Sequence, residues 1–275
     1  MPFTPTHILA IVPIAAVRRW RLPFSALAIG SMVPDLPLFI RRSASYQASH
    51  SAPGLLTTDL PLGLAGFLIF QLLFKGVLFA LLPAAVQRRC VALARPCLEP
   101  TVGFGLRAAS AVVVGAATHL VWDSFTHARR TGTRLLPGLN ATALTLGGHA
   151  IPGYKALQYG CTFVGLPLLA ALAVLWLRRQ RPEPVAGGAV LPTAAKVLAG
   201  LVAAAIPAAA VAYILTVADL SPYQKLGWVI TRSGLGLMLV LTAAGIAFRA
   251  LSARAEAPRR TSGAGRDDPG GTDDR

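Results

Sequence analysis

The stretch Ala108-Ala-Ser-Ala-Val-Val-Val-Gly-Ala-Ala-Thr-His119-Leu-Val-Trp-Asp123-Ser-Phe-Thr-His127 sets a long apolar run against three titratable side chains spaced four apart. On a helix, residues at that spacing lie one above another, so His119, Asp123 and His127 form a single polar stripe. The run from Ala108 to Leu120 reads as membrane-buried. Titratable groups there are costly unless they pair, bind a metal or line a wet cavity. The stripe is therefore a candidate site.

The same reading extends outward along the chain. Of the 275 residues, 54% are hydrophobic and only 13% charged, about half the charge of a typical soluble domain. Apolar runs recur at Leu60 to Val86, Phe163 to Leu177, Val197 to Ala218 and Leu235 to Phe248. A helix needs about 20 residues to cross the hydrocarbon layer, and with their flanks several of these suffice. The fold class is all-α: a polytopic helical membrane protein of about six to seven helices. Residues 1–252 are expected to form the membrane domain, and residues 253–275 a disordered polar tail.

A formal net charge of +15 raises nucleic acid as a partner, but the arginines do not gather in one basic domain. They flank apolar runs, as Arg18, Arg19 and Arg21, then Arg88, Arg89 and Arg95, then Arg178, Arg179 and Arg181. That is the pattern of cytoplasmic loops at an anionic membrane surface, and no nucleic-acid partner is expected. The protein is expected in the cell membrane with its C-terminal tail in the cytoplasm. Arg41, Arg42, Arg129, Arg130 and Arg134 fall on the outer side of this topology and weaken its charge bias. Cys90, Cys97 and Cys161 follow no metal or disulfide spacing.

Two early segments depart from plain spanning helices. Ile8 to Val17 is apolar, but its basic residues follow rather than precede it, unlike a secretion signal. With only about ten residues it reads as a half-spanning helix. Leu22 to Ile40 is long enough to cross yet holds Pro34 and Pro37, which remove backbone donors and break the helix beside Asp35. Broken helices at membrane depth occur where backbone lines an enclosed or wet cavity. A capping role for Asp35 is the alternative.

Counting from the basic flanks brings distant residues to a common depth. His7 precedes Arg18 by 11 residues, Asp35 follows Arg21 by 14 and His119 follows Arg107 by 12. At 1.5 Å per residue, all three lie roughly 16–21 Å above the inner surface. His50 and Asp59 fall at the outer end, near Asp123 and His127. His149, after Gly147-Gly148, reads as a loop residue. Imidazole and carboxylate without cysteine suit zinc, manganese or iron rather than a thiolate site. Gln158 and its neighbours Tyr154, Lys155 and Tyr159 precede a spanning helix; they form an interface belt, or Gln158 faces the stripe. Lys75 either snorkels or marks a break in its helix.

Met1-Pro2-Phe3-Thr4-Pro5-Thr6-His7, Leu22 to Leu27, Gly30-Ser31-Met32-Val33-Pro34-Asp35, Ser49-His50-Ser51, Asp59 to Gly63 and His119 to His127 resemble the signature blocks of a multi-pass membrane family, the domain-of-unknown-function family forty-one eighty-four. The resemblance covers roughly residues 1 to 250. It implies the architecture and supplies no activity. More loosely, the order His, Asp, His, then His-x-x-x-Asp and a further His is similar to zinc-dependent phospholipase C, related nucleases and a family of inner-membrane metal-dependent hydrolases. That likeness implies that Asp35, His50, His119 and Asp123 hold one metal, with zinc foremost. It also implies that His7, with Asp123 bridging, helps to hold a second, and that His127 matches the next histidine. The chain lacks the later His-x-x-x-Glu pair and the N-terminal tryptophan of the soluble enzymes, so a third metal is not implied.

If that likeness holds, the function is metal-assisted hydrolysis of a lipid phosphate or other phosphoester, with membrane lipids as partners. Asp35 or Asp59 would be the base that takes a proton from water. Arg129, Arg130 or Arg134 would hold phosphate, with Gln158 nearby, although interfacial anchoring explains the arginines equally well. Two other classes stay open. The cluster could relay ions or protons in a transporter, or staple the helices together without turnover. A hydrolase needs an open coordination position, whereas a staple is closed.

Overall fold

The computed structural model describes residues 4–39, 43–185, 191–217 and 220–261. Arg41 and Arg42 lie outside the described residues, as does the tail from residue 262. The chain begins with a 3-10 turn at Thr4–His7 that leads into α1, Ile8–Ala15. A short turn follows at Arg18–Trp20, and Arg21 adopts a left-handed backbone (φ 50°) that redirects the chain. Next come α2 (Phe24–Gly30), a 3-10 turn at Val33–Asp35 and α3 (Leu36–Phe39). The break falls where Pro34 and Pro37 take two donors out of the ladder. It leaves Asp35 on a turn between two short helices, facing inward at 1% exposure.

After α4 (Ser43–Ser49) the first long span, Leu55–Leu81, is one continuous helical rod. It contains α5 (Leu60–Ile69) and α6 (Lys75–Leu81), with π-turns at Leu55–Asp59 and Phe70–Phe74. Each π-turn carries a buried polar residue, Asp59 in the first and Gln71 in the second. The extra residue per turn redirects these side chains inward, a common use of π geometry at functional positions. Gln71 accepts from Lys75 Nζ at 3.1 Å and from the Cys97 N–H at 3.0 Å, and donates to Ser25 Oγ at 2.8 Å. Lys75 is thus held by Gln71 at a helix irregularity.

The apolar run read as Leu60 to Val86 stops short. Leu82 turns extended ahead of Pro83, as a residue before proline prefers, and a separate helix α7 (Ala84–Ala94) carries Arg88 and Arg89. The remaining spans are α8 (Val102–Thr126), α10 (Gly153–Arg179), α11 (Thr193–Leu215) and α12 (Pro222–Thr261). Thr101 caps α8 by accepting from the Phe104 N–H at 3.1 Å. Among the described residues, five helices are long and apolar enough to cross a membrane, and Thr4–Ala15 and Phe24–Phe39 are shorter apolar helices. Between α8 and α10 lie α9 (Thr131–Leu135) and an antiparallel hairpin of β1 (Thr142–Leu146) and β2 (His149–Pro152). His149, expected on a loop, therefore begins a strand. Gly147 and Gly148, with φ of 55° and 78°, supply the positive dihedrals that a tight hairpin turn demands.

The centre is formed by α1, α2, α5 and α8, with Ile11, Leu27, Phe67, Ala111 and Val112 buried among them. α2 and α8 approach through small residues. A Cβ on Gly115 would overlap the Leu27 carbonyl and the Ser31 nitrogen, and one on Gly30 would overlap the Val112 backbone. Lipid offers no hydrophobic drive between helices, so close backbone packing at glycine and alanine is what holds such a pair. This contact sets the break at Asp35 beside the His119 stripe.

Candidate metal centre

Four residues from three segments meet near the α2–α8 contact. α8 presents His119 and Asp123 one turn apart, the broken segment presents Asp35, and the turn after α4 presents His50. All four are at most 8% exposed. One ligand atom from each lies within 4.8 Å of every other. His119 Nε2 is 3.6 Å from Asp35 Oδ1 and 3.5 Å from Asp123 Oδ2. His50 Nε2 is 3.6 Å from Asp35 Oδ1 and 3.7 Å from Asp123 Oδ2.

These separations are long for hydrogen bonds, which for nitrogen and oxygen close at about 2.7–3.2 Å. They suit two ligands on one ion, because bonds of about 2.0–2.1 Å at a tetrahedral angle place neighbouring ligand atoms about 3.4 Å apart. The hydrogen-bond inventory agrees. Among the described residues, His50 Nε2, His119 Nε2 and Asp35 Oδ1 are buried without a hydrogen-bond partner, a state native interiors seldom leave unanswered.

The outer atoms of the same residues are held. His119 Nδ1 lies 2.8 Å from the Ser31 carbonyl and His50 Nδ1 lies 3.0 Å from the Tyr46 carbonyl. A carbonyl only accepts, so each Nδ1 carries a proton and each Nε2 points at the group, where it can bind an ion once it is deprotonated. Thr4 Oγ1 donates to Asp35 Oδ2 at 2.8 Å, which aims Oδ1 at the centre. Tyr46 packs its ring on His50 at 3.9 Å. Burial disfavours charge on His50, but Asp123 and Asp35 outweigh it and lift the imidazole to about 9. A proton and a metal would therefore compete for this residue.

The other residues singled out in the sequence surround this group. His7 stacks on His119 with ring centroids 3.8 Å apart, and its Nε2 is 3.6 Å from Asp123 Oδ1. Both His7 ring nitrogens are buried and unbonded. Asp59 is fully buried with both oxygens unbonded, within electrostatic reach of His50 and His119. His127 stands where α8 ends. Its Nδ1 is 3.2 Å from the Asp123 carbonyl and 3.5 Å from Asp123 Oδ2. Burial pulls the His127 imidazole below its ordinary value, with Asp123 opposing.

Gln158, buried on α10, places Nε2 3.3 Å from His127 Nε2. Arg130 donates from Nη1 to the His50 carbonyl at 3.3 Å. Arg129 and Arg134 instead line a surface cleft with Thr133, Pro137 and Asn140. His149 is exposed at the start of β2.

Sequence reasoning missed the partners that aim the ligands: Thr4, the Ser31 and Tyr46 carbonyls, and Thr133, whose Oγ1 donates to the His127 carbonyl at 3.1 Å. A hydroxyl or carbonyl carries no pattern of its own. Thr4, three residues before His7 in the opening block, was the one with a positional signal.

Fold and site together define a multi-pass helical membrane protein with a buried Asp35, His50, His119 and Asp123 group that could hold a metal. The chain belongs to the family described as Domain of unknown function (DUF4184), which matches residues 1–250. Neither a curated protein nor a solved structure matches it.

Proposed function

We propose that the protein is a membrane-embedded, metal-dependent hydrolase of phosphoesters, with a lipid phosphate as its substrate class. The observation that supports this most is the set of inward-facing, unbonded ligand atoms on Asp35, His50 and His119 beside Asp123. Two imidazoles and two carboxylates suit zinc, with manganese and iron as alternatives. When bound, the ion would acidify a water and neutralise charge on a phosphoryl oxygen. His7 Nε2 approaches Asp123 Oδ1 at 3.6 Å, whereas His50 and His119 approach Oδ2, so His7 and Asp123 Oδ1 would help to hold a second ion.

The protein's own groups divide the remaining work. Asp35 commits Oδ2 to Thr4 and turns Oδ1 to the group, so Asp59 is the carboxylate left to accept a proton from water. Arg130 steadies the His50 loop through the His50 carbonyl. Gln158 orients His127 at the outer end of the stripe. The clusters at Arg88, Arg89, Arg178 and Arg179 would face the cytoplasm, with the C-terminal tail on the same side. Arg89 Nη1 donates to the Gln180 carbonyl at 2.6 Å, so two of these clusters share one end of the molecule.

A second reading rests on the depth of the group. Its four members are at most 8% exposed, and a closed four-ligand site holds helices together without turnover. Elemental analysis of purified wild type beside His119→Ala and Asp123→Ala, with phosphate release from phosphatidic acid, tests both readings. Metal in wild type alone, with phosphate release, supports the hydrolase. Metal without release leaves the staple, and no metal above the variants defeats both.

A further inference from the structure

The segment between α8 and α10 leaves one spanning helix and enters the next at the same end, so it lies at one membrane surface. It combines two features that solvent alone would not favour. Leu135, Leu136, Leu144 and Leu146 are 71%, 53%, 43% and 68% exposed. Leu144 and Leu146, two apart on β1, share one face of the hairpin. Leu135 and Leu136 lie in the chain between Arg134 and Pro137, which with Arg129, Thr133 and Asn140 line a cleft.

Among the described residues, no carboxylate pairs with either arginine; the one ion pair without histidine joins Arg107 to Glu99. Arg129 holds φ at 62°, a conformation that residues with a Cβ seldom adopt and that collects at ligand sites. Arg130 is already spent on the His50 carbonyl, which separates it from its two neighbours. The cleft adjoins the metal group, because Thr133 in its wall donates to the carbonyl of His127. The His127 side chain is 22% exposed, against 5% or less for the other side chains of the cluster that pair with Asp123 or Asp35. Of these, it stands nearest to an opening.

We propose that Arg129 and Arg134 bind the phosphate of an anionic phospholipid headgroup at the mouth of the buried group, while the exposed leucines of α9 and the hairpin rest among the acyl chains. Guanidinium groups without a protein partner meet phosphate through charge-assisted, often bidentate hydrogen bonds. Adjacent exposed leucines favour a ligand that brings its own apolar tail, and a free phosphate brings none. The binding stands on the cleft and the hairpin; only its role as the way in for substrate rests on the hydrolase reading.

The test is photolabelling of the full-length protein in phosphatidylcholine nanodiscs, using phosphatidic acid with a diazirine in one acyl chain, mapped by peptide mass spectrometry. Label is expected on residues 128–152. It should fall about tenfold or more in Arg129→Gln/Arg134→Gln, in keeping with the loss of two charged hydrogen bonds, with labelling of other segments unchanged. Unlabelled phosphatidic acid should compete, and inorganic phosphate at equal concentration should not. Three results would overturn the proposal: equal labelling in the double variant, equal labelling by a phosphatidylcholine probe, or displacement by inorganic phosphate. His119→Ala should keep the label while losing metal, so failure of the hydrolase reading and failure of this one are seen separately.

Discussion

An imidazole with both nitrogens buried and unbonded, as in His7, is costly to keep inside a membrane protein, and so is the fully buried carboxylate of Asp59. Their cost is understandable if both serve the group beside them, and they fail in different ways when removed. Asp59→Asn should retain metal while phosphate release falls by about 100-fold or more, the usual worth of a positioned base. Paired metal analysis and turnover measurements check this, and loss of metal in that variant would instead make Asp59 a ligand. Thr4 acts only through Asp35. Thr4→Val removes the 2.8 Å bond to Asp35 Oδ2 and should weaken metal binding about 10–100-fold, measured by titration against a chelator of known affinity.

At the scale of elements, the decisive contact is the crossing of α2 and α8. Gly115→Ala would drive a methyl into the Leu27 carbonyl and the Ser31 nitrogen, which backbone cannot easily yield. It should cost about 1–3 kcal/mol, the usual range for overpacking, and lower the metal content, because the Ser31 carbonyl that orients His119 would shift. Thermal unfolding in detergent with elemental analysis reads both effects. Gly63 is a contrasting case, since a Cβ there meets the side chain of Val112. Gly63→Ala should therefore be destabilising alone and largely restored by Val112→Ala, a coupling that a double-mutant cycle measures. No such rescue is available at Gly115. The hairpin of β1 and β2 belongs to this scale too; its strands are too short and too exposed for the alternation that marks a strand in sequence.

For the whole molecule, the arrangement of charge makes a claim about orientation. The basic clusters of α7 and the end of α10 lie together, tied by Arg89 to Gln180 and by the Glu183 N–H to the Arg88 carbonyl at 2.7 Å. Cys97 is exposed and follows α7 in the chain, whereas Cys90 is buried. With the basic end in the cytoplasm, a membrane-impermeant maleimide should label Cys97 only after cells are permeabilised. Labelling of Cys97 in intact cells would invert the topology and turn the arginine cleft to the cytoplasmic side.

Much of this was legible in the residues. Apolar runs of sufficient length must be helices, because lipid leaves no other partner for their backbone, and Pro34 and Pro37 had to break the second segment. The four-residue spacing placed His119 and Asp123 on one face without any tertiary information. What the sequence could not determine was which distant residues join them, since that depends on how closely two helices approach. Gly30 and Gly115 allow α2 and α8 to meet at backbone distance. That contact, with the turn after α4, brings Asp35 and His50 to within 3.7 Å of the α8 pair. It also separates roles that residue types alone left mixed, giving Arg130 to the His50 loop and Arg129 and Arg134 to the cleft. Spacing along one helix is a local property, and convergence between segments is a property of packing alone.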